Sequence, residues 1–150
     1  LRGVLSFAEM IAYWIAQILG SLAASYTVWL ILGKTFAPHP ADTATAFQVL
    51  LVELLFTFAL ALVVLNVATA KQTQGNSYFG LAIGLTIVVA AIAGGPVSGG
   101  AFNPAVGTGP TLVNMMLGGG SLAHLWLYWV GPLAGGALAA AVFRVQETQD

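Results

Sequence analysis

There is no cysteine in these 150 residues, which excludes a disulfide framework and any thiolate metal site. Charge is almost as scarce. Asp, Glu, Lys and Arg make up 6% of the chain, against about 25% in an average soluble domain. From Gln72 to Phe143 none occurs. A water-soluble fold needs such groups to cover its surface, whereas 59% of these residues are apolar, so the chain reads as an all-α integral membrane protein. A net charge of −1 leaves no basic patch for nucleic acid. No nucleophile and base, metal cluster or phosphate loop occurs in a supporting context, so neither an enzyme nor a cofactor is expected. Leu1 is not Met, and no basic n-region with a cleavage site follows it. No signal peptide is visible, and the expectation is a piece of a longer protein.

What is present is a series of long apolar runs. Residues 7–32, 47–70, 78–95 and 123–145 are each long enough to span a hydrocarbon core of about 30 Å. Ala16, Gly20 and Ala24 recur at four-residue spacing in the first, Gly80 and Gly84 in the third, and Gly131, Gly135 and Ala139 in the fourth. Such small-residue faces let another helix backbone approach closely. Between the first two runs, Pro38, His39, Pro40 and Asp42 mark an exposed loop. His39 has no suitably spaced second ligand and reads as a solvated loop residue; His124, beside Trp126, reads as interfacial.

The stretch GGPVSGGAFNPAVGTGPTLVNMML, residues 94–117, is of another kind. Its glycines and proline should break a helix, and Asn103 followed by Pro104 should start one, as N-cap and first helical residue. A helix over 104–117 would be about 20 Å long, too short to cross. Residues 96–117 are therefore expected to form a re-entrant loop and half-helix, buried in protein or lining a water-filled cavity. If this segment turns back, Arg2, Lys71 and Arg144 share one side and Lys34 lies opposite, the arrangement that the positive-inside tendency favours with the first three in the cytoplasm.

The first run also matches the last. Tyr13, Trp14, Ile15, Ala16, Gly20 and Ala24 align without gaps on Tyr128, Trp129, Val130, Gly131, Gly135 and Ala139. That is the trace of a duplicated membrane unit of the inverted-repeat kind. The first run should then close a preceding repeat, whose own re-entrant loop would lie just upstream of Leu1.

SGGAFNPAVGTGP resembles the second Asn-Pro-Ala signature of the aquaporins, the major intrinsic protein family, and HLWLYWVGPLAGG resembles their last helix. YWIAQILGS is similar to their third helix and FQVLLVELLFTFALALVV to their fourth. The resemblance implies an aquaporin-like helical bundle, here four transmembrane helices plus one half-helix, with the first repeat missing. It implies a passive channel for water and small neutral solutes that excludes ions and protons, in a lipid bilayer, as a homotetramer.

On this resemblance Asn103, Pro104 and Ala105 supply one side of the pore centre, where the Asn amide donates to water. The carbonyls of Gly99, Gly100, Ala101 and Phe102 form a ladder of acceptors. The positive end of the half-helix opposes cations. Glu53, a carboxylate inside an apolar span, anchors the re-entrant loop by accepting from its backbone N–H groups, and Gln17 plays a supporting part. The selectivity constriction falls on Ala91, Gly100 and Val106. Many water-selective members place Arg after the tripeptide and His in the fifth helix; Val106 and Ala91 stand there instead, suiting a wider opening that also passes glycerol, urea or ammonia. Gly107 stands where glycerol-conducting relatives usually have Asp, and Tyr128 and Trp129 are of the water type, so the two sets of markers conflict. A coupled transporter is disfavoured by the charge-free run, and a truncated, nonconducting fragment is the remaining alternative.

Overall fold

The computed structural model describes residues 5–147, and all of its regular structure is helical. α1 is Phe7–Leu32, α2 Ala46–Val64, α3 Phe79–Ser98, α4 Pro104–Gly118 and α5 Leu127–Glu147. α2 runs on through a π-helical turn, Leu65–Thr69. Four helices, over Phe7–Leu32, Ala46–Thr69, Phe79–Ser98 and Leu127–Glu147, are long and apolar enough to cross a membrane.

Local chemistry sets most of the ends. Ser6 and Glu9 close a capping box on α1, which is where Glu9 is used; Thr45 and Gln48 close another on α2. α1 stops at Gly33, whose φ of 63° a glycine adopts at little cost. Asn103 caps α4 and Pro104 is its first residue, as the Asn-Pro order requires.

Four helices differ in their bounds from the expected ones. α3 does not break at its glycines but continues through Pro96 to Ser98, so only residues 99–103 separate it from α4. Gly94 serves packing instead: a Cβ there would come within 2.9 Å of Phe56 and Val52 on α2. Pro96 removes one helical donor, a loss that a membrane helix tolerates where neighbours pack against it. α2 and its π turn cover 46–69 rather than 47–70, and α4 ends at Gly118 rather than Leu117. α5 begins at Leu127, not Ala123, because residues 123–126 wind into tight turns that include a Leu127 N–H to His124 carbonyl bond of 3.0 Å. It ends at Glu147, two residues beyond the expected limit.

α5 packs along α2 in the same direction. A Cβ on Gly131 would meet Glu53 at 2.6 Å, Gly135 lies against Leu54 and Phe58, and Asn66 donates to Gln146 at 3.3 Å farther along. α4 lies on α1, with Gly109 against Ser21. Both ends of the 99–118 segment meet the α1–α2 connection. Gly99 sits against the His39 backbone, and Thr35 bonds Asn114 at 2.7 Å beside Gly118. The segment therefore enters and returns at one end of the bundle, the end that holds Lys34. Lys71 and Arg144 lie at the other; Arg2 is outside the described residues.

Candidate pore-loop site

The core of the molecule is built around one carboxylate. Glu53 is fully buried, and its Oε1 accepts from the Ser98 hydroxyl at 2.8 Å and the Ala101 N–H at 3.1 Å. Its Oε2 accepts from the Phe102 N–H at 2.6 Å. Ser98 in turn accepts from the Gly100 N–H at 3.1 Å. A carboxylate has no donor and several acceptor sites, so it can bind at once the N–H groups that the nonhelical run leaves without helical partners. Buried donors left unpaired would each cost about 1–3 kcal/mol.

The run is held from two further directions. Thr57, one turn beyond Glu53, donates to the Phe102 carbonyl at 3.0 Å. Phe102 has φ of 50°, unusual for a residue with a Cβ, and is fastened at both its N–H and its carbonyl by α2. From α5, Tyr128 is fully buried and donates to the Ser98 carbonyl at 2.6 Å. The Phe102 carbonyl, last of the expected acceptors, takes one bond from Thr57 and keeps a second lone pair.

Asn103 follows. Its Oδ1 accepts from the Ala105 N–H at 2.8 Å, which leaves the Nδ2 group as a donor turned to its surroundings. Three hollows converge on this residue. One, of about 130 Å³, lies between Trp14, Gln17 and Ile18 of α1 and Trp129 and Leu133 of α5, and is also lined by Pro104 and Ala105. Trp14 with Trp129 and Ile18 with Leu133 are repeat-related pairs, so the hollow lies where the two related helices face each other. A second cleft runs along α1 past Gln17 to Val106 and Phe36; a third runs along α2 and α5 past Thr57 to Leu65. Gln17 lines two of the three beside Asn103.

The residues assigned to the constriction sit on three different segments, α3, the 99–103 run and α4. Val106 is 47% exposed and faces the α1 cleft. A Cβ on Gly100 would lie 3.2 Å from the Cα of Gly95, one turn beyond Ala91, which is exposed on α3. Gly107 is explained by packing: a Cβ there would come within 2.5 Å of the Tyr128 Cβ, so Tyr128 excludes a side chain at 107.

Sequence reasoning missed Ser98, Thr57 and Thr108. Thr108 accepts from the Trp129 indole N–H at 3.0 Å and donates to the Pro104 carbonyl at 2.6 Å, bracing the first turn of α4 against α5. Tyr128 and Trp129 were visible as a repeated pair, but not as props of the loop and half-helix.

A family model described as Major intrinsic protein matches residues 1–143. The chain is 33% identical over 145 residues to a probable aquaporin TIP2-2 of Oryza sativa subsp. japonica, covering 96% of this chain and 56% of that protein. It is 38% identical over 134 residues to aquaporin TIP2-3 of Arabidopsis thaliana, covering 87% of this chain and 52% of the relative. It is 35% identical over 145 residues to aquaporin NIP1-1 of Zea mays, covering 95% and 49%. The chain spans about half the length of these curated relatives. With four apolar helices of spanning length and a family match over nearly its whole extent, this multi-pass integral membrane protein belongs to the major intrinsic protein family.

Proposed function

We propose that these residues form one wall of a passive channel for water and small neutral solutes. The observation that carries the proposal is Asn103: its oxygen is committed to the α4 cap, its amide donor is left over, and three hollows open onto it. A donor at the positive end of a half-helix orients water by its oxygen and repels cations, which accounts for exclusion of ions and protons. The carbonyls of Gly99, Gly100 and Ala101 continue the path as acceptors.

The wall facing α1 is completed by a preceding repeat, with a helix seated on Ala16, Gly20 and Ala24 as α2 is seated on Gly131, Gly135 and Ala139. Four such channels assemble as a homotetramer, with the Lys71 and Arg144 end in the cytoplasm. No step of chemistry is involved, and the protein is not an enzyme. Stopped-flow shrinkage of proteoliposomes carrying the complete encoded protein tests this reading. Water permeability should exceed that of protein-free vesicles and fall to that baseline in Asn103→Leu; permeability unchanged by the substitution would refute it.

A second reading, a pore that also passes glycerol, urea or ammonia, is favoured by the apolar face that Val106 and Phe36 present to the α1 cleft. Val106→Arg should then reduce glycerol or urea flux more than water flux. An unchanged solute-to-water ratio would leave the water-only reading standing.

A further inference from the structure

The chain contains two histidines, 85 residues apart in sequence at 39 and 124, and the structure brings them together. Their ring centroids are 5.2 Å apart and the rings are perpendicular. Both side chains are exposed, one on the α1–α2 connection and the other on the link from α4 to α5. They share a hollow of about 260 Å³ with Pro38, Asn114, Ser121 and Tyr128.

We infer that His39 and His124 form a binding site for a divalent transition-metal ion of the Cu²⁺, Ni²⁺ or Zn²⁺ class. Imidazole nitrogen suits these ions, whereas Mg²⁺ and Ca²⁺ prefer oxygen. The tautomer is already arranged. Nδ1 of His39 lies 2.6 Å from the Pro40 carbonyl, which can only accept, so in the neutral ring Nδ1 carries the proton and Nε2 keeps its lone pair. A metal-ligating histidine typically donates its other ring N–H in this way to a carbonyl or carboxylate.

The spacing fits as well. With metal to nitrogen bonds of about 2.1 Å at a tetrahedral angle, two bound imidazoles have centroids about 5.3 Å apart. The rings stand edge to face, so with His39 kept on the Pro40 carbonyl it is the His124 ring that turns about its Cβ–Cγ bond to bring its lone pair to the same ion as His39 Nε2. Among the described residues no group of three or more His, Cys, Asp or Glu is placed to hold a metal, so water completes the shell and the site is of the weak, exchangeable kind.

The site reaches the pore loop through the backbone. The N and carbonyl O of His39 pack against Gly99, so close that a Cβ on Gly99 would lie 2.5 Å from the nitrogen. A metal bridging the two connections fixes the His39 backbone and with it the entrance to residues 99–103.

The test uses the full chain, purified in detergent through a tag free of histidine, and titrated with Cu²⁺ under electron paramagnetic resonance. The expected spectrum shows coupling to two imidazole nitrogens at one equivalent of metal. His39→Ala and His124→Ala should each leave one nitrogen and weaken affinity about tenfold or more. Single-nitrogen coupling in the unaltered protein, or unaltered affinity in both variants, would overturn the site. Circular dichroism of the variants separates loss of ligand from loss of fold, and His39→Gln and His124→Gln provide a milder pair. Zn²⁺ should also slow hydrogen exchange at the Gly99 amide in the unaltered protein only; equal exchange with and without Zn²⁺ would overturn the link to the pore loop.

Discussion

α5 and α1 carry nearly the same pattern, but within the described residues only the glycine of α5 has a helix packed against it. Tyr128 is fully buried and bonded to the Ser98 carbonyl, while its counterpart Tyr13 is 56% exposed. Gly135 lies against the α2 backbone; nothing comes within 4 Å of where a Cβ on Gly20 would be. A small-residue face on a membrane helix therefore specifies where a neighbour can come close, and a second element decides whether it does. For α5 that element is α2, with Glu53 at the point of closest approach.

The contrast can be broken most severely at Glu53. Glu53→Leu leaves three donors, the Ser98 hydroxyl and the Ala101 and Phe102 N–H groups, without their acceptor. At about 1–3 kcal/mol for each buried group, the loss should reach several kcal/mol, read as a fall in the SDS fraction that unfolds the protein in mixed micelles. Glu53→Gln, which keeps an acceptor oxygen, should fall between. A variant as stable as the parent would show that the carboxylate does not hold the loop.

Next is the pair of glycines. Gly135→Val forces a side chain into Leu54 and Phe58 and should cost about 1–3 kcal/mol, whereas Gly20→Val should be near neutral when these 150 residues are tested without the proposed preceding repeat. Equal losses in the two variants, measured by the same denaturation, would mean that the faces are not used differently. Gly107→Ala belongs with Gly135→Val, because Tyr128 fills the space it needs.

The smallest effect expected is at the tyrosines. Tyr128→Phe removes one buried hydrogen bond, about 1 kcal/mol, and should speed hydrogen exchange in residues 99–103. In these 150 residues alone, Tyr13→Phe should change neither stability nor exchange. A matching response from both would remove the distinction between the repeat-related positions.

The same contrast explains what was legible in the sequence. Asn103 and Pro104 announce a helix start because capping is a matter of adjacent residues, and four apolar runs announce four crossings because length and composition suffice. The glycines at 94 and 95 were misread because the reason for Gly94, the Phe56 and Val52 side chains of α2, lies some 40 residues away in the chain. The Tyr128 bond to Ser98 and the Thr57 bond to Phe102 span 30 and 45 residues and leave no periodic trace. The duplicated pattern revealed which positions of α1 and α5 correspond, but not that only one set is filled here. Likewise, the two histidines read separately as surface residues because nothing in their spacing brings them together.

The Glu53-anchored loop holds Asn103, and the proposed role of its amide is to donate to water. Osmotic water permeability of proteoliposomes carrying the complete encoded protein, compared with Asn103→Leu at equal protein content, tests it most directly. Permeability should lie well above that of protein-free vesicles and return to that baseline in the variant. Equal permeability in the two proteins would contradict it.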